Sequence, residues 1–149
     1  MASVGIHCLL ELYGCPVELL DDPGFVTRTL NNAADHAGAT WLGELHHRFN
    51  PCGVTCVGLL AESHVSIHTW PEVGYAAVDV FTCGDAAMPE KACRFIAREF
   101  RAARHTLAKI PRAAGLTFDE TEGVNPADAH MASCTLDHEI LEPGVAIDA

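Results

Sequence analysis

Between Leu59 and Glu72 the chain reads LLAESHVSIHTWPE, which sets a carboxylate, a hydroxyl and two imidazoles into an otherwise apolar run. With Cys83 a short distance on, nucleophile, base, acid and thiol types (Ser63, His64 and His68, Glu62, Cys83) fall on adjacent segments joined by a tight turn. A second pattern overlaps the first: Cys52-x3-Cys56 followed by His64-x3-His68 imitates the spacing of a Cys2His2 zinc site. Val65, Ile67 and Thr69 alternate as strand residues do. In an extended strand two residues four apart share a face but stand about 13 Å from each other, too far to converge on one ion. No metal is therefore expected, and Cys52 and Cys56 are given no function. Cys8, Cys56 and Cys93 read as small buried residues, and His46 and His47 as one inward and one outward side chain.

The elements that must hold these groups are legible from periodicity. GIHCLLELYG is β-compatible and CPVELLDDPG turn-rich, and Asp22 with Pro23 forms a helix start. The helix is expected to run to about Ala37, burying Val26, Leu30, Ala33 and Ala37, with Gly38 ending it. ATWLGELHHRF, GVTCVGLLAES and HVSIHTW read as strands, and YAAVDVFT follows the turn PEVG. Ala92, Phe95, Ile96, Phe100 and Ala103 have helical spacing from Pro89 to about Arg104, and TLAKIP supplies a last strand. Short links favour antiparallel pairing. The expected class is α+β: a two-layer sandwich of a mainly antiparallel sheet with two helices on one face.

Composition narrows the function. The 149 residues suit one domain, and the formal charge of −11 excludes nucleic acid and anionic membrane as main partners. Residues 118–149 hold eight acids and no Lys or Arg, an acidic, partly disordered C-terminal extension; the chemistry belongs to a domain over 1–117. Seven scattered cysteines, no secretory signal and no membrane-length apolar run point to the cytoplasm.

The stretch AESHVSIHTWPEVGYAAVDVFTCG, with ELYGC and HRFNPCGVT upstream, resembles the bacterial and archaeal S-adenosylmethionine decarboxylase family over residues 3 to about 112. The resemblance implies a proenzyme that cuts itself between Glu62 and Ser63, leaving a pyruvoyl group in place of the serine and needing no pyridoxal phosphate. A hydroxyl beside a strained carbonyl can attack it, giving an ester in place of the amide. By resemblance His68 then removes the Ser63 Cα proton, and elimination frees a chain ending at Glu62. The mature ketone would form a Schiff base with the substrate amine and serve as electron sink during decarboxylation. Cys83 resembles the proton donor to the resulting carbanion. Thr55, where the family's pattern has serine, resembles a processing helper; Phe49 resembles an aromatic that stacks on adenine, Glu72 a carboxylate for the ribose hydroxyls, and Trp70 a further substrate contact.

The resemblance thus implies decarboxylation of S-adenosylmethionine, supplying the aminopropyl donor for spermidine. The alternative is a pyruvoyl-dependent arginine or ornithine decarboxylase on the same scaffold, which would keep Ser63, His68 and Cys83 but rebuild the nucleoside contacts. Spacing adds a constraint: five residues apart, Ser63 and His68 lie on opposite faces of an extended strand and about 16 Å from each other. Either the chain bends sharply between them or the histidine comes from a second copy. The family's homodimer, with sites shared across its interface, favours the latter.

Overall fold

Apolar and polar residues alternate from Gly5 to Tyr13, and the buried set Cys8, Leu10 and Leu12 makes this stretch, β1, an inner strand of a six-stranded sheet. The computed structural model describes residues 3–84 and 86–113, within a unit that spans Met1–Leu116. The acidic stretch 118–149 lies outside the described residues. The other strands are β2 (Trp41–Arg48), β3 (Val54–Leu60), β4 (Ser63–Trp70), β5 (Tyr75–Cys83) and β6 (Arg104–Arg112). Their order across the sheet is β2-β3-β4-β5-β1-β6, and every neighbouring pair is antiparallel.

Two longer helices, α2 (Pro23–His36) and α3 (Pro89–Glu99), cover one face of the sheet, as the sequence predicts for a two-layer α+β fold. Asp22 caps α2 by accepting the Phe25 N–H at 3.1 Å, and Gly38 leaves the helix at φ +72°. Val26, Leu30, Ala33 and Ala37 are all buried; with Ala92, Cys93, Ile96 and Phe100 from the α3 region they meet Cys56, Val65, Ile67, Val78 and Val80 of the sheet. At Gly58 an added Cβ would stand 2.4 Å from the Trp41 ring, so a side chain there would force the indole out.

Three expectations need correction. The turn-rich CPVELLDDPG contains a one-turn helix, α1 (Val17–Leu20), which buries Leu20. Helix α3 stops at Glu99, short of Arg104, because Arg101 turns the chain at φ +50° and the Ala103 N–H bonds to Tyr13 O at 2.9 Å, drawing the chain into the sheet. Ala103 is exposed rather than part of the buried helical set. His46 and His47 are both exposed, since β2 is the sheet's edge strand.

Strand parity sends a second set of side chains to the face without helices, among them His7, Glu11, Val57, Leu59, His64, His68, Trp70, Tyr75, Asp79 and Phe81. No helix among the described residues is long and apolar enough to cross a membrane.

Candidate active site

Strands β3 and β4 are joined through Ala61 and Glu62 alone, with Leu60 opposite Ser63 in the ladder. So tight a connection usually places a glycine at its positive-φ residue. Here Ser63 takes that part, with φ +153°, a region L-residues avoid. Backbone strain is therefore stored at the residue that follows the Glu62 carbonyl.

Glu62 is held from both sides of the turn, by its carbonyl and by its side chain. Its carbonyl oxygen accepts the backbone N–H of Cys83 at 2.9 Å, since β5 ends beside the start of β4. The Glu62 carboxylate accepts the Thr40 N–H at 2.9 Å, and the Ala61 N–H returns a 2.9 Å bond to Thr40 O. The Thr40 contact holds the Glu62 carboxyl below its ordinary pKa. Cys83 itself is exposed at the end of β5.

A polar cluster lies next to Ser63 on the helix-free face. Ser63 Oγ is 3.2 Å from His64 Nδ1, and His64 Nε2 is 2.9 Å from Asp79 Oδ2. Asp79 Oδ2 also meets His7 Nε2 at 2.8 Å, Asp79 Oδ1 accepts from Ser66 Oγ, and Arg112 Nη1 approaches His7 Nδ1 at 3.1 Å. Burial pushes the Asp79 carboxyl up, but the hydrogen bonds from Ser66, His7 and His64 outweigh it and hold the group below its ordinary pKa. The ligand-type atoms of His7, His64 and Asp79 lie within 4.8 Å of one another and satisfy each other by hydrogen bonds.

The remaining expected residues gather toward the opposite end of β4. His68 Nδ1 is 2.9 Å from Thr55 Oγ1 across the β3–β4 ladder. Trp70 is exposed, tilted against Tyr75 with ring centroids 5.3 Å apart. Phe49 is exposed and meets His47 edge-on at 4.7 Å, and Glu72 Oε2 accepts from Cys52 Sγ at 3.5 Å. Asp21 fixes the loop that carries Phe49 and Cys52: it binds Arg48 Nη2 at 2.6 Å and accepts the Gly53 N–H at 2.9 Å. The Gly53 and Arg48 contacts hold the Asp21 carboxyl below its ordinary pKa.

Within one chain the expected residues therefore form two separate groups. Glu62, Ser63 and Cys83 meet at one end of β4; Thr55 and His68, then Trp70, Glu72 and Phe49, occupy the other. Strand β4 pairs with both neighbours in unbroken register from Ser63 to Trp70, so no sharp bend brings His68 to its own Ser63. The Cys52–Cys56–His64–His68 pattern does not assemble: Cys56 is buried on the helix-covered face and bonds to Glu44, while His64 meets Asp79 on the other.

Sequence reading left His7, His64, Asp79 and Asp21 without roles. The signal for Asp79 was present, an acid centred in the apolar strand YAAVDVFT. Its partner His7 could not be read, because the β1–β5 pairing brings together residues 72 positions apart.

Comparison with known proteins agrees with this architecture. The family model described as S-adenosylmethionine decarboxylase matches residues 6–113. An S-adenosylmethionine decarboxylase proenzyme of Synechococcus sp. (strain WH7803) is 56% identical over 119 residues, 80% of this chain and 93% of that protein. One from Parasynechococcus marenigrum (strain WH8102) is 59% identical over 109 residues, 73% of this chain and 85% of its own length. The crystal structure of the adenosylmethionine decarboxylase from Aquifex aeolicus VF5 is 35% identical and superposes with a TM-score of 0.71, covering 83% of this chain and all of that one. Matched in sequence along most of both chains and in fold, this chain belongs to the S-adenosylmethionine decarboxylase family.

Proposed function

We propose that this chain is a self-processing, pyruvoyl-dependent decarboxylase that converts S-adenosylmethionine to its decarboxylated form and carbon dioxide, the aminopropyl donor for spermidine synthesis. The observation that carries the reading is the Glu62–Ser63 junction. A non-glycine residue at φ +153° follows a carbonyl whose oxygen is already hydrogen-bonded to the Cys83 N–H. Strain favours opening of the amide, and the Cys83 N–H stabilises the negative charge that builds on the Glu62 oxygen when Ser63 Oγ adds.

The residues fit the group that this cleavage would leave at position 63. Once made, the pyruvoyl group supplies a carbonyl that takes an amine and a sink for the electron pair left by carbon dioxide. Cys83 Sγ, exposed at the strand end, gives the proton to the substrate carbon. During processing His68 takes the Ser63 Cα proton, with Thr55 Oγ1 holding its Nδ1 at 2.9 Å. Phe49 and Trp70 offer aromatic faces to adenine, and Glu72 offers carboxylate oxygens to the ribose hydroxyls.

Because the two groups lie at opposite ends of β4, the working unit is a homodimer in which one copy's His68 end serves the other's Ser63 end. The helix-free sheet face is the surface that supports this pairing. It exposes Leu9, Leu45, Val57 and Leu59 beside its polar groups, and a sheet covered on one side only gains by covering the other. Six free cysteines among the described residues support a reducing, cytoplasmic setting.

The test is direct. Purified protein run on a denaturing gel is expected as two chains, residues 1–62 and 63–149, with the larger blocked at its N-terminus. The mixture is expected to release carbon dioxide from S-adenosylmethionine in preference to arginine or ornithine. An uncut, inactive chain overturns the reading, and preference for either amino acid moves the substrate to the alternative.

A further inference from the structure

His64 stands next to Ser63 in sequence, yet nothing in the reading above gives it work. We propose that His64 is the base for the first step of processing, taking the Ser63 hydroxyl proton within the same chain, and that Asp79 positions it. The inference rests on the self-cleavage reading and concerns the step that reading leaves open, since His68 is given the later Cα proton and no group is given the hydroxyl proton.

The hydrogen bonds fix the proton's location. Arg112 can only donate, so at 3.1 Å from Arg112 Nη1 the neutral His7 ring must present an unprotonated Nδ1 and carry its hydrogen on Nε2. His7 therefore donates to Asp79 Oδ2. Asp79, held ionised, is acceptor-only and takes a second ring hydrogen from His64 Nε2 at 2.9 Å. In the neutral His64 ring Nδ1 is then the unprotonated nitrogen, and Ser63 Oγ lies 3.2 Å from it. Hydroxyl, imidazole and carboxylate thus stand in the order that activates a serine elsewhere, here aimed at the chain's own preceding carbonyl.

The step balances without a co-reactant. The Ser63 Oγ–H proton passes to His64 Nδ1 as Oγ bonds to the Glu62 carbonyl carbon. The bond from that carbon to the Ser63 nitrogen breaks, and His64 returns the proton to the departing nitrogen, which becomes a free amine. The product is an ester isomer of the starting chain. Asp79 is a positioning residue, keeping the His64 hydrogen on Nε2 and favouring the imidazolium that forms midway.

Hydroxylamine separates this step from the next, because it cleaves esters readily and amides slowly. Freshly refolded His64→Ala precursor is expected to convert on the order of 100-fold more slowly than the unaltered chain. It should resist hydroxylamine and regain part of its rate in added imidazole. His68→Ala, blocked at elimination, is expected instead to accumulate an ester that hydroxylamine cuts between residues 62 and 63. His64→Gln serves if the alanine variant loses its β-sheet circular dichroism. Asp79→Asn should lower the plateau rate, and Asp79→Glu, which keeps an acceptor-only carboxylate, should recover part of it. The other titratable or charged groups turned toward His64 are His7 from β1 and, behind it, Arg112 from β6; its β3 and β5 ladder partners are Leu59 and Phe81. Normal cleavage of a folded His64 variant, or hydroxylamine-sensitive ester in it, overturns the assignment; so does failure of imidazole to restore any rate. Absence of cleavage in the unaltered chain would instead defeat the reading on which it rests.

Discussion

Threonine at position 55 keeps the hydroxyl that meets His68 Nδ1 at 2.9 Å and adds a methyl group beside it. The hydroxyl helps orient the imidazole, while the methyl restricts how Oγ1 turns. Thr55→Ser is therefore expected to cleave several-fold faster in a gel time course, and Thr55→Val roughly tenfold slower or worse. Equal rates for all three would remove Thr55 from processing. Ser63, His68 and Cys83 could be singled out from the sequence because they lie in one continuous motif. The geometry around His64 could not, since its meaning depends on Asp79 and His7 arriving from strands whose pairing no local pattern specifies. Nor did residue type reveal the backbone at Ser63; serine has no preference for φ +153°, and only the two-residue link between β3 and β4 imposes it.

Among the elements, the link between β2 and β3 bears the candidate adenine contact, and its shape depends on a group outside it. Asp21, just past α1, ties Arg48 at the end of β2 to Gly53 at the start of the next strand's approach. Thr69 Oγ1 braces the same corner by donating to Leu20 O at 2.7 Å and accepting the Val54 N–H at 2.8 Å. Asp21→Ala should leave the extent of self-cleavage unchanged and raise KM for S-adenosylmethionine roughly tenfold, with kcat altered much less. An unchanged KM would show that this link does not place the substrate. The strands and α2 were readable because each obeys one period from cap to end. The α3 terminus was not, because helical spacing continued through Phe100 to Ala103 while the Ala103–Tyr13 backbone bond had already claimed the chain for the sheet.

Over the whole molecule, the proposed roles of Ser63 and His68 at opposite ends of β4 would make assembly a requirement for cleavage. On those roles Ser63→Ala chains would not be cut and His68→Ala chains would lack the base for elimination, yet a mixed dimer would contain one complete pair of ends. Co-expression is expected to yield cut His68→Ala chains, visible by tagging the two variants with different masses, while each variant alone stays whole. If neither chain is cut in the mixture, sharing between copies fails. The sequence made the two-layer class and this spacing conflict visible, but not the sheet order, which requires β1 to insert between β5 and β6.

Cleavage between Glu62 and Ser63, as proposed, would cut across that strand order. The piece ending at Glu62 would own β1, β2 and β3, and the piece starting at Ser63 β4, β5 and β6, so β1 would be bonded on both flanks to strands of the other piece. The two products would be woven through one another rather than laid side by side, and neither could leave without dismantling the sheet. Before the cut, folding is unimolecular; after it, recovery from unfolding requires two polypeptides to find each other, and depends on their concentration. Processing at that bond would therefore follow folding, and would convert an equilibrium fold into one whose persistence is kinetic, set by the rate at which the interwoven strands come apart.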